Sequence, residues 1–287
     1  MFPGKVLEFV PYKARHSQGQ RLTGSVETTM SSSLPPELLD LIVDHLHDDP
    51  TALKTCSVVS KSWIPRTRRH LFAHVEFHAS KSHVGLWKKA FPDPSNSPAY
   101  HTRTLSVHRI RVIAAADTGV DGWIRTFRSV VHLKLSGMDR TSPIPFCGLS
   151  PAIRSLSLIN VPLDAFDLIC SFPLLEDLTL VVLFPVGDED GWNPPLKSPK
   201  LTGTLDLKMF GRANCVTRRL LVLPDGLHFS KITVLFTNEG IKSVTDLVSK
   251  CSGTLEFLTL HFWPRGAFLS TPVNGQHLTT TRTRRDV

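Results

Sequence analysis

Residues 153–180, IRSLSLINVPLDAFDLICSFPLLEDLTL, hold the pattern from which the fold is read. Ile153, Leu156 and Leu158 are echoed 22 positions later by Leu175, Leu178 and Leu180. Each set ends in an apolar–polar–apolar alternation, the period of a half-buried strand. Between the two sets, Phe166, Ile169 and Cys170 share a helical face, and Pro173 stops that segment before the next strand. A unit of one short strand and one short connector is too small to bury its own apolar face. It needs a neighbour.

Further units lie on both sides. The alternation returns at Leu105–Val107, Leu133–Leu135, Leu205–Leu207, Ile232–Val234 and Leu258–Leu260, and the seven strand starts are 28, 23, 22, 27, 27 and 26 positions apart. A period in the twenties with one strand per unit, and an L-x-x-L-x-L form repeated at Leu255, Leu258 and Leu260, resembles irregular leucine-rich repeats. The resemblance implies a solenoid whose alternating leucines point inward and whose intervening side chains line an exposed sheet surface. Lys134, Ser157, Thr179, Asp206, Thr233 and Thr259 are therefore the candidate target-binding residues. Two departures stand out: Thr202 sits where the unit at Leu205 would carry its upstream leucine, and Asn160 is the lone candidate for an asparagine ladder. A two-layer domain on an ordinary mixed sheet is the alternative.

Upstream, residues 34–72 read LPPELLDLIVDHLHDDPTALKTCSVVSKSWIPRTRRHLF. Pro35 and Pro36 suit a first helical turn, with Ser33 as the cap. Leu38, Leu41, Ile42 and Leu46 recur at helical spacing on one stripe. Asp49-Pro50 repeats the start signal, which predicts a second helix from Pro50 to about Val59. Leu53, Cys56, Val59 and Trp63 continue the apolar series, and Pro65 fits the opening turn of a third helix. The first helix is acidic (Glu37, Asp40, Asp44, then Asp48 and Asp49) and the third basic (Lys61, Arg66, Arg68, Arg69), which predicts helix–helix matching before a nucleic-acid patch.

The ordered set Leu34-Pro35, Glu37-Leu38, Ile42, Leu46, Leu53, Cys56, Val58-Val59-Ser60, Trp63, Arg69 and Leu71-Phe72 resembles the fungal-type F-box over roughly 40 residues. The family hooks substrate receptors onto the Skp adaptor of cullin-RING ubiquitin ligases. The resemblance implies that Leu34, Pro35, Leu38, Ile42, Leu46, Leu53, Val59 and Trp63 supply the adaptor-binding surface. A plain helical core is the competing role for the same side chains, and three helices this short cannot hide all of them from water.

Composition bounds the rest. With 287 residues, 41% hydrophobic and 20% charged, the chain has room for more than one unit. No run of about 18 apolar residues exists to span a bilayer, and MFPGKVLEFVPYKARH is too broken for a signal-peptide core. Cys56, Cys147, Cys170, Cys215 and Cys251 are scattered and never form C-x-x-C, which points to reduced thiols in the cytoplasm or nucleus. The net charge of +8 is spread along the chain apart from Arg66–Arg69 and Arg282–Arg285, without aromatic interleaving for single strands. Nucleotide-loop, zincin and nucleophile-elbow motifs are absent. His70, His74 and His78 fall at four-residue steps, but a helix should not persist under them, so no metal site is expected there. The acidic run Asp188–Asp190 is expected to be solvated rather than cation-binding.

The expected fold class is α+β: a small N-terminal three-helix F-box followed by an irregular α/β leucine-rich-repeat-like solenoid. The expected organisation is a disordered segment at 1–30, with Met30 as an alternative start, then the helical module at 31–78 and a linker at 79–100. The recognition domain follows at 101–270 and a basic polar tail at 271–287, which leaves the last repeat poorly capped. The expected function is that of a non-catalytic substrate receptor of a Skp–cullin–F-box ubiquitin ligase, with the Skp adaptor and a target protein as partners. No cofactor, metal or membrane is called for. The alternatives are an F-box-like scaffold or nucleic-acid-associated protein using its basic surface and, remotely, a hydrolase.

Overall fold

The computed structural model describes residues 35–78, 81–108, 124–137, 146, 149–184, 197–208, 213–224, 226–236 and 241–262. The expectations for residues 1–30, Leu34, Cys147, Asp188–Asp190 and the stretch from Trp263 to Val287 lie outside these residues. Three short helices come first. Helix α1 spans Pro36–His45, and the residue at its cap position is Pro35 rather than Ser33. Proline's fixed φ suits that entry, and the helix starts without a side-chain cap. Helix α2, Pro50–Val59, is capped by Asp49, whose carboxylate accepts the N–H groups of Thr51 and Ala52 at 2.9 and 3.0 Å. A 3₁₀ turn, Lys61–Trp63, leads into α3, Ile64–Leu71, with Pro65 in its first turn.

The chain then enters an eight-stranded sheet sooner than the leucine pattern implies. Its strands are β1 His74–His78, β2 Thr104–His108, β3 His132–Ser136, β4 Ser155–Pro162, β5 Asp177–Phe184, β6 Thr204–Lys208, β7 Lys231–Phe236 and β8 Phe257–Phe262. They lie side by side in chain order and every pairing is parallel, so the sheet is not of the mixed kind. Strand β1 escapes the leucine pattern because its inward residues are Val75 and Phe77. The expected linker at 79–100 instead carries, over its described residues, helix α4, Lys81–Ala90, and 3₁₀ turns at Pro94–Asn96 and Pro98–His101, the last running one residue beyond it. The prolines there occupy first-turn positions, and Asp93 and Ser97 cap them by accepting the N–H groups of Ser95 and Ala99. Pro/Ser-rich composition thus marks two capped turns, not a tether.

Register explains the packing. One inward column runs from Val75 through Leu105, Leu133, Leu156, Leu178 and Leu205 to Ile232, and a second from Phe77 through Leu158 to Val234. All these are buried. Behind them the connectors contribute Phe127, Phe146, Phe166, Phe172 and Phe229, each with almost no surface left to water. Burying one such side chain stabilises by about 1.5–3 kcal/mol. The β4–β5 connector holds a 3₁₀ turn and helix α5, Leu168–Ser171, while helices α6, Ala213–Leu221, and α7, Ile241–Cys251, serve β6–β7 and β7–β8.

Each strand enters on the backbone of its predecessor. The Ala73 carbonyl accepts from Arg103 and Thr104, Arg103 from Val131 and His132, and Val131 from Arg154 and Ser155. The step recurs at Arg154, Gly203 and Ser230, while at β6 the Glu176 carbonyl accepts from Gly203 alone and the Thr204 N–H donates to the Asp177 carboxylate at 2.6 Å. Helices and sheet meet through aromatic rings: Trp87 of α4 lies edge-on to Phe77 of β1 and to Phe72, with centroids 5.5 and 6.0 Å apart. At the opposite end, Leu258 and Leu260 of β8 are only half-buried, because no described strand follows to cover them.

Candidate functional site

Two surfaces carry the residues singled out from the sequence. The first is helical. Val43, Leu53 and Cys56 form the buried apolar set of the three helices, with Thr67 of α3 also buried. The stripe read on α1 divides in consequence. Leu46 turns half inward, while Leu38 (46% exposed), Leu41 and Ile42 stand in solvent. Val58 and Val59 at the end of α2 are each 66% exposed. Of the expected adaptor-binding residues, Pro35, Leu38, Ile42 and Val59 lie on the open surface, and Leu46 and Trp63 are half-buried. Leu53, 1% exposed, is a correction: it belongs to the small helical core and is inaccessible to a partner. Leu41 and Val58 join the exposed set although the sequence reading gave them no binding role. Leu41 lies three residues beyond Leu38, one helical turn, and Val58 directly precedes Val59. That spacing marks a surface only once the buried side of each helix is known.

An ionic link sets how the helices face each other. The Asp44 carboxylate of α1 accepts two hydrogen bonds from Arg66 of α3, one of them from Nε at 2.6 Å, and a third contact from His70 Nε2 at 2.7 Å. The Arg66 hydrogen bond, helped by His70, holds Asp44 well below the usual carboxylate range, and Asp44 in turn raises Arg66. The acidic and basic helices therefore match each other through this pair, as their charges led one to expect. His70 is spent on Asp44, while His74 and His78 sit at the two ends of β1, so the three histidines share no site.

The second surface is the open face of the sheet. Register places Lys134, Ser157, Thr179, Asp206, Thr233 and Thr259 in a single row across β3–β8, continued by Ser106 and Glu76. Lys134 is exposed and the other five are partly so. Asp206 Oδ2 takes a hydrogen bond from Lys208 Nζ at 2.7 Å, and its Oδ1 has no partner. Histidines gather at one corner. His108 lies 2.7 Å from Glu76 through Nε2 and 2.6 Å from Ser136 Oγ through Nδ1, and its ring stacks on His78 at 5.0 Å. Burial pushes His108 down in pKa, opposed by the Glu76 charge. With Glu76 accepting from Nε2–H, the Nδ1 atom accepts from the Ser136 hydroxyl.

Other chemistry is limited. Among the described residues no cluster of three or more His, Cys, Asp or Glu side chains could hold a metal ion. Burial pushes the Cys170 thiol up to about 11 and raises that of Cys251, so both stay protonated at neutral pH and are poor nucleophiles. No helix among the described residues is long and apolar enough to cross a membrane. The arrangement offers an apolar helical face and a polar sheet face, both suited to binding. No protein-family model matches the chain, and a search of curated proteins finds none significantly similar to it.

Proposed function

We propose that this chain is a non-catalytic substrate receptor of a Skp–cullin–F-box ubiquitin ligase. Helices α1–α3 form the F-box that takes the Skp adaptor, and the sheet is the face of a leucine-rich-repeat-like solenoid that takes a target protein. The observation that carries the reading is the exposed aliphatic set Leu38, Leu41, Ile42, Val58 and Val59 on helices that have their own small core. Large apolar side chains gathered on one module and left in water mark a docking surface. The strictly sequential parallel sheet, with one strand per 22–30 residues between Val75 and Leu258, supports the solenoid part. The mechanism is proximity. Holding a target beside a ubiquitin-charged carrier raises effective concentration and asks no bond-making of this chain.

The test is co-purification with the Skp adaptor. Truncating interface anchors removes about 2–4 kcal/mol, or roughly 30- to 1,000-fold in affinity. Leu38→Ala with Ile42→Ala should therefore abolish adaptor capture while leaving the far-UV circular dichroism unchanged, because both side chains are exposed. Undiminished capture by this double variant sinks the proposal.

A further inference from the structure

We infer that the β1–β3 corner of the sheet's open face docks an acidic segment of a partner protein, and holds it more tightly as pH falls from 8 to 6. The inference rests on the reading above in taking this face as the one that meets a target.

The corner differs from the rest of the face in one respect. Strands β1–β3 present His74, His78, His108 and His132, together with Lys134 and a single carboxylate, Glu76. Neighbouring strands lie about 4.8 Å apart and alternate residues about 6.6 Å apart, so these groups occupy a patch of roughly 10 by 14 Å. Helix α4 adds His83, whose Nδ1 accepts the His78 N–H at 3.4 Å. The other flank, β4, brings the uncharged Ser155, Ser157 and Ile159, and Arg154 just before it is paired with Glu176. Lys88 and Lys89 of α4 lie at least five residues beyond His83, or about 7.5 Å along the helix.

Not all these groups are available. Glu76 is shared by His108 and His78, at 2.7 and 3.3 Å, and His108 uses both ring nitrogens. His108 is thus a positioning residue that ties down the corner's own acid. His74, His132 and Lys134 are exposed, and their side chains make no hydrogen bond or ion pair with any described residue. With histidines neutral, Lys134 (+1) stands against Glu76 (−1) on the strands, and the exposed Arg103 directly before β2 adds a second positive charge at the rim. Histidine is the side chain that changes charge between pH 5 and 8, and each proton taken up adds one positive charge.

An extended peptide fits this pattern. Carboxylates at alternate positions of a strand are spaced as His132 and Lys134 are on β3. Among the described residues the corner has no phenyl or indole platform on which bases could stack, so it is poorly made for single-stranded nucleic acid. A bound carboxylate favours the protonated imidazole, so affinity rises as pH drops. One exposed ion pair changes affinity by about 1.5- to 5-fold, and the two free imidazoles together by about 2- to 25-fold.

The experiment uses the full chain and a fluorescein-labelled 12-residue peptide of alternating Glu and Ser, read by anisotropy at pH 6.0 and 8.0 in low salt. The expected result is about 2- to 25-fold tighter binding at pH 6.0. The triple variant His74→Ala, His132→Ala, Lys134→Ala should lose both the affinity and its pH dependence. Glu76→Gln should tighten binding at pH 8.0 by removing the corner's only acid. If the triple variant melts below the parent chain, His132→Gln with Lys134→Gln provides the same comparison. Equal affinity at both pH values, an unaffected triple variant, or tighter binding of a 12-residue oligouridine through the same side chains would each overturn the inference. Capture of the Skp adaptor is scored in parallel with the triple variant. Its absence already in the parent chain speaks against the receptor reading and leaves the peptide result standing.

Discussion

Helices α1–α3 bury three apolar side chains, Val43, Leu53 and Cys56, whereas the sheet buries two columns that run across seven strands. The difference is geometric. A helix of eight to ten residues turns about a third of its side chains toward any one neighbour, and three such helices enclose very little. A sheet extended by one parallel strand at a time adds two inward residues per strand, and every new pair is covered by the connectors behind it. The helical part thus has apolar surface left over, which is what makes it a candidate for docking. The sheet has polar surface left over, arranged in a regular row.

The largest effect should come from the sheet. Leu156→Ala removes a side chain with no exposed surface from the middle of a column and should cost about 2–5 kcal/mol in urea unfolding. A cost below about 1 kcal/mol would mean that the column is loosely packed and the contrast with the helices is false.

A smaller effect is expected at the helix–helix link. Asp44 is partly exposed, so Asp44→Asn should cost about 0.5–1 kcal/mol at pH 7. Asp44 is depressed in the folded state, first by Arg66 and then by His70. Its contribution is therefore complete above the ordinary carboxylate pKa near 4 and fades as pH falls below it. Melting of the helical part followed from pH 7 to pH 3 should show a steeper acid loss for the parent than for Asp44→Asn. Parallel curves would remove this pair from the account of how α1 meets α3.

The smallest effect sharpens the comparison. Val58→Ala, at a side chain two-thirds exposed, should change stability by no more than about 0.5 kcal/mol. A loss of about 2 kcal/mol or more, measured by thermal unfolding of the chain alone, would show that this face is already covered within the molecule.

Local pattern carried much of this outcome. The helix start at Pro50, its end at Val59 and the first-turn place of Pro65 follow from cap and proline chemistry, which acts over three or four residues. The seven leucine-marked strands and the row from Lys134 to Thr259 follow from a period of two, which any strand must obey. Three features were hidden for specific reasons. Strand β1 uses Val75 and Phe77 in place of leucines. Residues 79–100 look like a tether by composition, yet Trp87 and Ala99 are core. The Glu76–His108–Ser136 contacts join residues 28 to 32 positions apart, and no spacing rule relates them.

By itself the sequence determined the starts of α2 and α3, the seven leucine-marked strands and which of their residues point inward, because these are set by neighbours a few positions away. The tertiary structure alone decided which side of α1 is covered. Leu38 and Leu39 are adjacent and equally apolar, yet Leu38 stands in solvent while Leu39 is half-buried, since α3 and the 3₁₀ turn before it pack on one side of α1. It also decided that His78, His108 and His83, from two strands and one helix, meet at one end of the sheet. Burial and proximity of that kind depend on chain segments brought together from a distance, and periodicity along the chain records neither.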